Sequence, residues 1–250
     1  MSGEAILRAE GASRVFAAAG GDVHACNDID LAVHAGELVV VRGASGAGKT
    51  TLLNLLSGLD EPTSGRVLLD GTDLASLSEA QLADVRHRAL GIVFQSFGLI
   101  SVLSAAENVE VPLRIARTEP RERDDRVATA LAEVGLSGQA AQRPDELSGG
   151  QQQRVGIARA IVTRPRVLIA DEPTGQLDSR TAAGIMDLIA ALTHERGIAA
   201  IVATHDPLLV ARADRVIELH DGRITESQPV AAEFTSRAAW RAAQSGTQEP

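Results

Sequence analysis

Gly43-Ala44-Ser45-Gly46-Ala47-Gly48-Lys49-Thr50 stands between the apolar run Leu38-Val39-Val40-Val41 and the segment Thr51-Leu52-Leu53-Asn54-Leu55-Leu56. The run reads as a short buried strand, the octet as a tight glycine-rich turn, and the segment beyond it as a helix that opens Gly-Lys-Thr-Thr. Such a turn at a helix start is a phosphate cradle. Its backbone N–H groups and the positive end of the helix dipole converge on an anion, Lys49 adds a point charge for β- and γ-phosphates, and the Thr50 hydroxyl is placed to ligate Mg²⁺. Lys49 is also the sole lysine of the chain, every other basic residue among the 24 Lys+Arg being arginine. A compact ammonium on a flexible stem fits this loop, and a bulky forked guanidinium does not.

With 250 residues, 44% of them hydrophobic, the chain can bury one large α/β core or two small ones. Its longest apolar runs, such as 198–203 and 167–170, fall far short of the ~20 residues of a membrane span, so a soluble globular protein is expected. Met1-Ser2-Gly3-Glu4 shows no basic stretch followed by an apolar one, and no signal peptide is expected. Cys26 is the only cysteine, which excludes an intrachain disulfide and fits a reducing cytoplasm. A formal net charge of −9 opposes a nucleic-acid-gripping surface, and the arginines of 114–126 are interleaved with Glu119, Glu122, Asp124 and Asp125 as on a solvated helix face.

Along the chain, Ile29, Leu31 and Val33 alternate as in a strand at the edge of a sheet, and strands are expected at 66–69, 91–94, 166–170, 198–203 and 215–219. Their alternation with helices at 49–58, 79–87 and 181–194 predicts a parallel α/β sheet. From 96 to 165 the pattern is helical throughout, with a capping box at Ser104/Glu107, an amphipathic stretch at 121–134 and a helix at 151–162. A short helix is expected after Pro207, Asp221-Gly222 reads as a hairpin turn into 223–225, and the segment from Glu226 on reads as a poorly ordered tail with one helical stretch around 234–240.

Two further stretches carry chemistry. Val167-Leu168-Ile169-Ala170-Asp171-Glu172 is an apolar strand ending in two carboxylates, where ligands bind in an open α/β sheet. Asp171 would share Mg²⁺ with Thr50, and Glu172 would polarise a water for in-line attack on the γ-phosphate. Leu147-Ser148-Gly149-Gly150-Gln151 is a second glycine-rich helix start, with Ser148 and Gln151 forming a capping box and the glycines leaving N–H groups open to an anion.

Together with Gln95, Gly175-Gln176-Leu177-Asp178 and Thr204-His205-Asp206, these stretches resemble the full set of ATP-binding-cassette (ABC) ATPase motifs, in order, across about 6–224. The resemblance implies a P-loop NTPase core with a mainly parallel sheet, N-terminal antiparallel strands and an all-helical insert. It divides a single domain, 1–227, into a core of 1–95 and 166–227 and a helical subdomain of 96–165, followed by the tail 228–250. It implies that Gly43, Ser45, Gly46, Ala47, Gly48, Lys49, Thr50 and Thr51 hold ATP, that Phe16 stacks on adenine where tyrosine is usual, and that Gln95 reaches metal and water. Ser148 and Gly150 would contact the γ-phosphate held by a second subunit, Asp178 would lie at the dimer seam, and His205 would sense the γ-phosphate. Ala47, where serine is common, is a departure of little consequence for a loop that works through its backbone.

Gln95-Ser96-Phe97-Gly98-Leu99-Ile100, Glu107 to Leu113 and Ala170 to Ser179 further resemble the macrolide-exporter and lipoprotein-release branch. That implies an ATPase homodimer peripheral to the cytoplasmic face of the inner membrane and driving a separate permease for export, lipoprotein release or mechanical control of a cell-wall hydrolase. The permease is expected to dock near Gln95–Leu103, on an exposed patch of Phe97, Leu99, Ile100 and Leu103. A soluble ABC ATPase acting on DNA or ribosomes would carry coiled-coil arms or a second cassette. A guanine-reading GTPase needs an Asn-Lys-x-Asp motif, which a chain whose only lysine is Lys49 cannot supply.

Overall fold

Every side chain from Leu38 to Val41 is fully buried in the computed structural model of the protein, which describes residues 4–18, 21–205 and 210–229. A strand that is apolar at each position needs cover on both faces, and the order of elements provides it. The chain runs β1 (Leu7–Phe16), β2 (Val23–Val33), β3 (Leu38–Arg42), α1 (Lys49–Leu56), β4 (Ser64–Leu69), β5 (Thr72–Asp73), α2 (Glu79–Ala89) and β6 (Leu90–Val93). It continues through α3 (Ala105–Ile115), α4 (Pro120–Glu133), α5 (Gly149–Ile161), β7 (Val167–Asp171), α6 (Ser179–Arg196), β8 (Ala199–Ala203), β9 (Arg215–His220) and β10 (Arg223–Pro229).

The larger sheet has the order β10-β9-β3-β8-β7-β6. Its five strands from β9 to β6 are parallel, and β10 is antiparallel to β9. The period-two alternation of side chains splits each central strand between two cores. Leu38, Val40, Leu168, Ala170, Ala200 and Val202 join the helices α3 to α6. Val39, Val41, Val167, Ile169, Ala199 and Ile201 join α1 and the smaller sheet.

That smaller sheet, β2-β1-β4-β5, is antiparallel throughout. The segment 66–69 therefore leaves the parallel sheet that its place after a helix predicts. The loop after α1 is tied back to β1, with Arg14 paired to Asp60 at 2.8 Å and the Thr63 N–H donating to the Ser13 carbonyl at 2.7 Å. The chain is thus returned beside β1, and Leu69 ends opposite Leu7.

Between Phe94 and Val167 only helices and turns occur, as the sequence predicts. Both halves of the capping box at α3 are made, the Glu107 N–H donating to Ser104 Oγ at 3.2 Å and the Ser104 N–H to Glu107 Oε2 at 2.8 Å. β10 runs from Arg223 to Pro229, so regular structure extends through 226–229 of the segment that the sequence reads as a poorly ordered tail. The helix expected after Pro207 begins outside the described residues, as do Asp206 and the stretch 234–240. No helix among the described residues is long and apolar enough to cross a membrane.

Candidate nucleotide site

Four neighbouring parallel strands, β3, β8, β7 and β6, deliver the predicted residues at their carboxyl ends: the 43–48 loop, His205, the pair Asp171-Glu172, and Gln95. Ligands of open α/β sheets bind at that edge. A cavity of ≈ 790 Å³ opens there, within the ~300–1,000 Å³ typical of small-molecule sites. Gly43, Ser45, Gly46, Gly48, Thr50 and Thr51 line it, together with Lys49, Gln95 and the three side chains from β7 and β8.

Lys49 is nearly buried and donates to the carbonyls of Gly43 at 2.8 Å and Ala44 at 3.2 Å. The loop is thereby wrapped around the ammonium, which stands 3.8 Å from Glu172 Oε1. Glu172 adopts a left-handed backbone, φ 44°, a conformation that costs a non-glycine residue about 1–3 kcal/mol. It is held there by its N–H bond to the Ala203 carbonyl at 2.9 Å and by the Gly175 N–H bond to its own carbonyl at 3.1 Å. Its carboxylate receives the His205 ring, with Nδ1 3.0 Å from both oxygens. A carboxylate can only accept here, so Nδ1 carries a proton.

Thr50 Oγ1 donates to Asp171 Oδ2 at 2.7 Å, while Asp171 Oδ1 is buried without a hydrogen-bond partner. An orphaned carboxylate oxygen beside a hydroxyl is a hard-oxygen pair of the kind Mg²⁺ takes from a protein when phosphates and water complete its shell. These residues fit the ion that the sequence assigns to them.

Close approach to the rest of the chain explains two of the loop's glycines, Gly43 and Gly48. A Cβ at Gly48, φ 103°, would lie 2.1 Å from the Ala25 carbonyl oxygen. Cys26, beneath the loop, is buried, with Sγ 3.9 Å from the Gly48 carbonyl. Burial first, and the charge of Asp60 second, push its thiol up to about 12, so the group is an inert part of the core.

Phe16 is exposed at the end of β1, opposite Val23, which does line the cavity. Arg14 lies over its ring, 4.6 Å from the centroid. Ser148, Gly150 and Asp178 are not brought to this cavity. Ser148 Oγ accepts the Gln151 N–H at 3.3 Å as the cap of α5. Asp178 caps α6, accepting the Arg180 and Thr181 N–H groups on Oδ1 and the Thr181 hydroxyl on Oδ2 at 2.6 Å. Gly150 packs so closely on α6 that a Cβ there would meet Thr181 Cγ2 at 2.4 Å.

The predicted patch is partly misplaced. Phe97, Leu99 and Leu103 are half-buried, Leu99 packing on the helical core. The exposed apolar residues of this region are Phe94, Ile100 and Val102. The sequence reading also passes over Val23, His24, Ala25, Asp221 and Gly222, all on the cavity wall. The Asp221-Gly222 turn hints at them, since the Gly222 N–H donates to the Ala47 carbonyl at 3.0 Å and the Asn27 N–H to the Gly222 carbonyl at 2.8 Å.

The sequence profile of the ABC transporter family matches residues 26–175. The chain belongs to that family. An ATP-binding protein of the lipoprotein-releasing system, LolD of Syntrophotalea carbinolica, is 47% identical over 223 residues, covering 89% of this chain and 98% of the relative. The macrolide export ATP-binding/permease protein MacB of Salmonella choleraesuis is 44% identical over 225 residues, and there the match spans 90% of this chain but 35% of the relative. Among solved structures, the dimeric ATP-binding cassette MJ0796 bound to ADP and Pi superimposes with a TM-score of 0.83 at 36% identity, covering 90% of this chain and 99% of that one. The ABC fold predicted from the motifs is thus the fold of this chain, and the chain is an ABC-type ATPase.

Proposed function

We propose that this ABC ATPase powers a separate membrane permease, at the cytoplasmic face of the membrane, by closing a homodimer around ATP and reopening it after hydrolysis. In this reading Lys49 and the loop amides hold the β- and γ-phosphates, and Phe16 stacks on adenine. Thr50, Asp171 and Gln95 would hold Mg²⁺, whose charge offsets that of the phosphate oxygens. Glu172 accepts a proton from the attacking water, and His205, braced on Glu172, donates to the γ-phosphate. Ser148, Gly150 and Asp178, remote from their own chain's cavity, complete the site of the second copy. The dimeric state of the MJ0796 cassette supports this arrangement.

The observation that carries the permease reading is a groove of ≈ 410 Å³ bounded by α2, β6, α3 and α5, with Phe94, the residue before Gln95, on its wall. Leu59, Phe94 and Ile115 stand exposed along it, and no carboxylate lines it. Clustered apolar groups of this kind mark a protein-docking surface, and the names of LolD and MacB support a lipoprotein-release or macrolide-export partner. The test is capture from detergent-solubilised membranes, followed by ATPase assay with the captured permease in vesicles. Phe94→Glu with Ile115→Glu should abolish capture and stimulation while basal hydrolysis stays within twofold. Stimulation unchanged by both substitutions would overturn the groove as the docking site.

A further inference from the structure

The loop after β6 turns through two successive left-handed residues, Phe97 at φ 59° and Gly98 at φ 60°. A phenylalanine does not rest in that conformation unless its surroundings impose it. The helix α5 imposes it here. Arg159 donates through Nη1 to the Gly98 carbonyl at 2.5 Å and through Nη2 to the Phe97 carbonyl at 3.1 Å. One turn earlier on the same helix face, a Cβ at Gly156 would lie 3.3 Å from the Phe97 carbonyl oxygen.

Arg159 is half-buried, and among the described residues no carboxylate pairs with it. Burial holds its pKa below the ordinary guanidinium value. A desolvated cation satisfied by carbonyls alone makes strong, directional bonds, and the planar fork gives each of the two neighbouring carbonyls a nitrogen of its own in a fixed geometry. Gln95, two residues before Phe97, makes no hydrogen bond through its own amide to any described residue. Its place in the cavity is therefore dictated by its backbone.

We propose that Arg159 is a positioning residue for hydrolysis: by clamping the Phe97 and Gly98 carbonyls it fixes Gln95 in the nucleotide cavity and ties it to the helix that opens at Ser148. The proposal rests on the reading of Gln95 as a group that reaches metal and water. It assigns a task to a side chain which neither the phosphate loop nor the carboxylates of β7 require.

The experiment measures steady-state ATP hydrolysis and hydrogen exchange on the purified full chain. Arg159→Ala should lower kcat about tenfold with KM for ATP within twofold, because the phosphate loop is untouched. Amides 96–99 should exchange at least about tenfold faster. Arg159→Lys, which keeps the charge but gathers its donors on one nitrogen, should recover part of kcat. The decisive arm is Gln95→Ala alone and combined with Arg159→Ala: residues acting through one another are non-additive, so the pair should be no slower than the slower single variant. Additive losses, or wild-type kcat in Arg159→Ala while Gln95→Ala is impaired, would overturn the positioning role. A Gln95→Ala variant with unchanged kcat would instead sink the reading of Gln95 itself, and this proposal with it. Should Arg159→Ala fail to fold, Gly156→Ala, whose methyl pushes on the Phe97 carbonyl, must give the same split of kcat from KM.

Discussion

At the start of α1 the side chains proposed to serve the nucleotide are held by one another, whereas at the starts of α5 and α6 they are held by their own helices. Lys49, Glu172 and His205 form a chain of contacts at 3.8 and 3.0 Å, and Thr50 reaches Asp171 at 2.7 Å. Ser148 and Asp178 commit their oxygens to capping bonds within three residues. The first region is a binding site that one chain assembles alone. The second is capped within its own helices, and in the proposed dimer it would meet the phosphate held by the second copy. The two halves should therefore fail in different ways when broken.

The largest effect is expected at Lys49. Among the described residues its ammonium is the one Lys or Arg charge lining the cavity, and its removal leaves the loop carbonyls of Gly43 and Ala44 without their shared donor. Lys49→Ala should lower hydrolysis at least about a hundredfold and weaken ATP binding. Calorimetric titration with ATP checks it, and near-normal affinity and turnover would mean that the loop is misread.

Next comes Glu172→Gln, which keeps shape and hydrogen bonding but removes the base. Turnover should fall roughly a hundredfold while ATP still binds. If Ser148 and Asp178 complete a neighbour's site, this variant should run as a dimer with ATP·Mg²⁺ and as a monomer with ADP. Light scattering decides the point. A monomer at saturating, demonstrably bound ATP would show that the second region does not act across such an interface.

The contrast also explains which features are legible in the sequence. The loop at 43–50, the capping boxes at Ser104 and Ser148 and the strand ending in Asp171-Glu172 are local patterns, in which neighbours in sequence create the geometry. Their positions are where the sequence puts them. The path of β4, the wall formed by Val23 to Ala25 and the buttress at Gly222 arise from contacts between residues tens to hundreds of positions apart, and no short pattern encodes those. Phe97 shows the same limit. It is apolar and close to Gln95, as a docking residue should be, but a left-handed turn folds it toward α5 and leaves Phe94 and Ile100 outside.

A smaller effect is expected at the rim. Arg14, itself paired with Asp60, covers one face of the Phe16 ring, leaving the other face for a base. Phe16→Ala should raise the Kd for ATP roughly tenfold, in line with the ~1–3 kcal/mol of base–aromatic stacking. Inorganic tripolyphosphate, which has no base, should bind both proteins alike. Equal weakening for the two ligands would place Phe16 in support of the loop and not of the adenine.

The smallest effect, and the sharpest for the second region, concerns Asp178. Its carboxyl is held below the usual range first by the Thr181 hydroxyl, then by the Thr181 and Arg180 N–H groups. A carboxyl whose folded pKa is depressed stabilises the fold fully above its unfolded pKa, near 3.9, and loses that contribution as pH falls through the folded value. Asn is also a good helix cap, so Asp178→Asn removes the charge at the α6 dipole and little else. At pH 7 the variant should melt about 1–3 °C below wild type, and the gap should close as the pH is taken down through the lowered folded-state pKa of Asp178. The same gap should appear with and without ATP in the monomer, because the cap is satisfied inside the helix. A gap that persists unchanged in acid would show that the carboxylate's charge is not what stabilises α6, and a gap that appears only with ATP would place Asp178 among the groups that its own chain's nucleotide organises.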